Sequence, residues 1–133
     1  YGIEISNVIE IVGMQEITNI PDQPEYVKGI INLRGKIIPT IDIRLRFNIK
    51  SIDYDDRTCI VVVSINDMLV GLIVDRVSEV TIIGDEDITS PPEFSDNNDS
   101  SFIKGIGNKN NTITIILDIN KVISDSQFSN LDV

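Results

Sequence analysis

Twenty-one aspartates and glutamates, eleven lysines and arginines, one cysteine and no histidine are the groups with which this 133-residue chain could do chemistry. Without histidine, the usual general base near neutral pH and the commonest metal ligand are both missing. Cys59 sits alone inside the apolar run CIVVVSI, which suits a buried, inert thiol in a reducing compartment and leaves no disulfide within the chain. No G-x-S-x-G elbow, Walker loop or dinucleotide glycine pattern occurs, and GIGN at 105–108 is too short to cradle a phosphate. The carboxylates could work in pairs, but spacing singles out no pair. Six acids lie in GDEDITSPPEFSDNNDSS at 84–101, without the glycine and final glutamate of a calcium-binding hand, so this segment reads as an exposed loop. Neither a metal nor a cofactor is expected. What stands out is Arg34, in NLRGKIIPTIDIR at 32–44. It could contact a nucleic acid, act as a catalytic cation, or hold a turn that faces a partner.

Charge argues against the first of these. The net charge is −10, whereas binding a polyanion needs a surface rich in lysine and arginine. Residues 1–66 carry nine acids against seven bases and residues 67–133 carry twelve against four. The first half is therefore the better docking surface for an acidic partner.

The elements that must position Arg34 are strands. Isoleucine occurs 27 times and valine 12 times, while alanine is absent. β-Branched side chains fit pleated, half-buried strands and lose freedom in helices, so the chain is expected to be all-β. No apolar stretch is long enough for a membrane helix, and direct membrane insertion is not expected. Strands are predicted over 2–5, 8–12, 29–33, 36–41, 58–65, 68–75, 79–83, 103–107 and 112–117. Arg34-Gly35, Asn66-Asp67 and Asn110-Asn111 sit at hairpin turns. Pro39 implies an edge or a bulge, because it cannot donate to a ladder. Asp42 and Asp118 precede IRLRF and INKVI as helix caps would.

The chain also repeats itself. YVKGIINLRGKIIPTIDI at 26–43 aligns without a gap to FIKGIGNKNNTITIILDI at 102–119, with seven identities in 18 positions. Upstream, Gly2, Val8 and Glu10 of YGIEISNVIEI match Gly71, Val77 and Glu79 of VGLIVDRVSEV. Two similar β-barrels of about five strands each are the natural reading. One domain over 1–133 would divide into subdomains at 1–66 and 67–123, with strand exchange possible, followed by a tail at 124–133.

The string from Val27 to Gly35, followed by Pro39 and Asp42-Ile43-Arg44, resembles the signature of the CheW family, the chemotaxis coupling proteins. YGIEISNVIEIV, GLIVDRVSEV and Pro91-Pro92 fit the same family, so the resemblance covers nearly the whole chain. It implies two five-stranded barrels of SH3-like type with a hydrophobic groove between them. It also implies one more strand ahead of Tyr1. The implied role is a non-catalytic, cytoplasmic adaptor. Such a protein binds the regulatory domain of the histidine kinase CheA and takes the helical tip of a chemoreceptor into the groove.

By the same resemblance Arg34 pairs with Glu10, partly buried, and holds the hairpin turn beside the receptor. Val8 and Gly29 match receptor-side positions, and Gly29 equally suits a bend or a close backbone approach. Met14 and Ile17 match kinase-side positions and equally suit ordinary core. Asn32, Gly35, Pro39 and Asp42 match structural turn, edge and cap positions. Asn110 replaces Arg34 in the second repeat, which confines the specialised site to the first. Two rivals stand beside the adaptor. One is a coupling domain of a larger scaffold, receiver-fused or kinase-borne. The other is a ligand-binding or hydrolytic β-barrel.

Overall fold

The computed structural model describes residues 1–50, 52–78, 82–90 and 102–123. The strands are β1 (Val8–Gly13), β2 (Val27–Leu33), β3 (Lys36–Asp42), β4 (Cys59–Ile65), β5 (Met68–Val74), β6 (Ile88–Thr89), β7 (Ile103–Lys109) and β8 (Thr112–Leu117). Two short helices, α1 (Ile43–Arg46) and α2 (Ile119–Ile123), follow β3 and β8. The chain is mostly β and forms two sheets among the described residues, ordered β1-β4-β5-β3-β2 and β6-β7-β8.

Three hairpins organise these sheets, and their turns explain their residues. Arg34-Gly35, Asn66-Asp67 and Asn110-Asn111 all take positive φ, between 51° and 86°. Paired left-handed residues match the right-handed twist of the flanking strands. Asparagine, aspartate and glycine adopt that backbone readily, whereas arginine does so at a steric cost.

The large sheet curls. β1 and β2 stand at its opposite ends, yet Arg34, in the turn after β2, forms an ion pair with Glu10 of β1. Five strands laid flat at about 4.8 Å spacing would hold these edges far beyond side-chain reach. Curling gives the sheet two buried faces. Ile31, Ile38, Ile60, Val62 and Ile73 fill the inside. Val27, Ile41, Val61, Val63, Val70 and Leu72 point outward and pack with Phe102, Leu117, Ile119, Val122 and Ile123 of the second half. Burial on both faces is why residues 59–63 of β4 read as an unbroken apolar run instead of an alternating one.

The two halves exchange strands. Gly71 of β5 pairs in parallel with Thr40 of β3. Gly2, its counterpart in the repeat, pairs in parallel with Ile116 of β8, the counterpart of Thr40. Each upstream block thus serves the hairpin of the other half. A division at residues 66 and 67 falls in the β4–β5 turn, inside one sheet.

Several local expectations are corrected. Residues 2–5 form a single bridge at Gly2 and then a 3-10 turn at Ile5–Asn7, closed by the Asn7 amide bonding the Glu4 carbonyl at 3.0 Å. Part of the expected loop at 84–101 is strand: Ile88 and Thr89 pair with Gly107 and Ile106. Of the expected strand at 79–83, Ile82 and Ile83 are not in a strand, and 79–81 lie outside the described residues. Outside them too are Glu79, Pro91-Pro92, the rest of the acidic segment and the tail at 124–133. Pro39 lies in an inner strand, not an edge. It is tolerated because the β3–β5 ladder begins only at Thr40, so at Pro39 the strand pairs with β2 alone.

Candidate docking site

The β2–β3 turn is built for display. Asn32 Oδ1 accepts a hydrogen bond from the Gly35 amide at 2.9 Å, closing the turn from within. This fixes Arg34 in its left-handed backbone, with φ 52°, at the hairpin tip. Its guanidinium donates to Glu10 Oε1, and the side chains remain 68% and 27% exposed. The hydrogen bond from Arg34 holds the Glu10 carboxyl below the usual glutamate range, and the same bond raises Arg34. The pair anticipated from sequence is therefore present, but it lies at the surface. Water and salt screen charges this exposed, so the pair orients Arg34 more than it stabilises the fold.

The remaining receptor-side positions differ in kind. Val8 opposes Val63 at the start of β1 and packs half-buried against the core between the sheets. Beside it Ile9 and Ile11 are 56% and 47% exposed, and Ile11 opposes Val61 of that same core. The core closes the centre of the junction. The apolar surface left for a partner runs along its rim, from the 65%-exposed Ile5 to Ile11. Gly29 has a structural role. Its φ is +144°, and a β-carbon there would overlap the Thr18 carbonyl, whose carbon lies 2.8 Å away. Thr18 and Ile30 exchange two backbone hydrogen bonds of 2.9 Å directly beside it.

Met14 and Ile17 pack, partly buried, against the inside core. Asp42 is 2% exposed and caps α1: its Oδ1 accepts from the amides of Arg44 at 2.9 Å and Leu45 at 3.3 Å. Its Oδ2 accepts from the Tyr54 hydroxyl at 2.8 Å. Burial first, and then this bond, push the Tyr54 phenol well above its ordinary range. Burial likewise pushes the Cys59 thiol up, which disfavours the reactive thiolate.

Sequence reasoning missed two features. Arg44 donates to both carboxylate oxygens of Asp75 at 2.9 Å. Arg46 reaches across to the second half. Neither partner is close in sequence, so no local pattern signals either contact. Among the described residues, no group of three or more His, Cys, Asp and Glu could hold a metal ion. No helix among them is long and apolar enough to cross a membrane.

A mostly β module in two interlocked halves, with a strained arginine turn ion-paired to the strand across from it, is the class these features define. The chain belongs to the CheW-like domain family, whose model matches residues 1–127. It is 36% identical over 132 residues to a chemotaxis protein CheW of Klebsiella aerogenes, covering 99% of this chain and 80% of that one. It is 38% identical over 124 residues to a chemotaxis protein CheW of Helicobacter pylori, covering 92% and 74%. Among solved structures it matches the scaffolding protein TtCheW of Thermoanaerobacter tengcongensis. The TM-score is 0.86 at 38% identity, over 95% of this chain and 86% of that one.

Proposed function

We propose that this chain is a cytoplasmic chemotaxis adaptor that couples receptors to the histidine kinase CheA without turnover of its own. The observation that carries this reading is Arg34. A non-glycine residue held in an unfavourable backbone and exposed at a hairpin tip has no packing reason to be arginine. The matching turn in the other half uses Asn110, which suits that backbone better. Such strain points to selection for contact. Receptor contact is assigned to Arg34, Glu10 and Val8, together with the apolar rim at Ile9 and Ile11. A helical receptor tip would lay its apolar face along that rim and its acidic or polar groups toward Arg34. Gly29 contributes by permitting the Thr18 bridge to β2, the strand that leads into the Arg34 turn. Kinase contact is assigned to the segment that leaves β1, where Met14 and Ile17 are partly buried. Relatives named chemotaxis protein CheW support the adaptor role.

The test is co-sedimentation of a receptor cytoplasmic fragment with the native chain and with Arg34→Asn. The variant is expected to fold with equal or greater stability and to lose receptor binding. Unchanged binding by a folded Arg34→Asn protein would remove Arg34 from the contact.

A further inference from the structure

Arg46 ends α1, in the first half, but its guanidinium belongs to the contact between halves. Its Nε donates to the Val122 carbonyl at 2.8 Å. Val122 lies in the last turn of α2, where carbonyls have no partner within the helix. The guanidinium carbon stands 4.5 Å from the centre of the Phe102 ring and 4.8 Å from that of Tyr26. One cation thus lies against an aromatic ring from each half and bonds the end of the second half's helix. Phe47, the next residue, packs against Phe102 with centroids 5.4 Å apart and the rings tilted by 33°.

The second half needs such a hold. Its described sheet has three strands, one only two residues long, and α2 has five residues. Helices this short do not persist alone, and small sheets depend on packing against a second layer. Besides the shared core and the Glu4–Lys104 ion pair, the backbone bonds that tie the β6-β7-β8 sheet to the first half, among the described residues, are those of Gly2 to Ile115 and Leu117.

We infer that Arg46 is a latch that holds the second half on the first, and that its release lets β7, β8 and α2 open together as one unit. A neutral side chain of similar length keeps the apolar stem but loses both the attraction to the rings and the bond to Val122. Lysine keeps the charge but loses the planar stacking. The effect is regional, because β4 and β5 lie between other strands of the large sheet. A partner gripping both halves would favour the latched form. The inference rests on the fold alone and stands apart from the assignment of receptor and kinase.

Native-state hydrogen exchange on the full chain tests it, comparing the native protein with Arg46→Met and Arg46→Lys. Amides of β7, β8 and α2 are expected to exchange about ten-fold faster in Arg46→Met, while those of β4 and β5 stay within about two-fold. Arg46→Lys is expected to fall between and supplies the comparison if Arg46→Met does not fold. Unchanged exchange in the second half, or an equal rise in both sheets, would overturn the latch.

Discussion

Replacing Gly29 with alanine separates a docking role from a structural one. The repeat pairs Gly29 with Gly105, and each lies at a register shift of its hairpin. At Gly29 a β-carbon would overlap the Thr18 carbonyl, which is backbone and cannot rotate away. Alanine must give up the two Thr18–Ile30 bonds, each worth about 1 kcal/mol net. It must also hold φ +144°, at a cost of about 1–3 kcal/mol. The sum is about 3–5 kcal/mol. At Gly105 the nearest atoms are the Ile88 Cγ2 at 3.0 Å and the Thr89 carbonyl oxygen at 3.2 Å, with no positive φ. A shift of a few tenths of an ångström in the two-residue strand β6, which carries both Ile88 and Thr89, relieves that crowding, so about 1 kcal/mol is expected. Urea unfolding followed by circular dichroism measures both losses. Equal losses at the two glycines would refute the reasoning. So would a fully stable Gly29→Ala protein that had lost only receptor binding.

Other outcomes follow from the same geometry. Asp42→Ala removes the α1 cap and the hydrogen bond from the partly exposed Tyr54, for a loss of about 1–3 kcal/mol. A double-mutant cycle with Tyr54→Phe should show coupling of about 1 kcal/mol, and strict additivity would contradict the bond. The folded state holds Tyr54 protonated beyond its ordinary range, so its contribution is complete below about pH 10 and is lost as pH rises above it. Unfolding free energies between pH 8 and 11 should therefore fall less steeply in Tyr54→Phe than in the native chain. Asp75 is lowered by its bond from Arg44, so that pair's contribution is present above about pH 4 and is lost on acidification. Arg44→Met should flatten the loss of stability between pH 5 and 3, measured by the same unfolding assay.

The fold was readable wherever local chemistry decided it. Turn residues able to take positive φ marked all three hairpins, and the spacing of identities across Lys28–Ile43 and Lys104–Ile119 marked the duplication. What the repeat did not reveal was where each upstream strand goes. A parallel pairing such as Gly2 with Ile116 joins residues far apart, and no local pattern records it. The same limit hid the reach of Arg46 to Phe102 and Val122, which lie far from it in sequence. Pairing of Arg34 with Glu10 came from family resemblance. The exposure of that pair depends on how the two edges of the curled sheet meet, which no local pattern records.

The most direct test combines this chain, a receptor cytoplasmic fragment and the kinase, with phosphorylation of the kinase as readout. The account predicts that kinase activity responds to receptor only when the chain is present, and that Arg34→Asn abolishes the response while remaining folded. Receptor control of the kinase that is the same with and without the chain would contradict it.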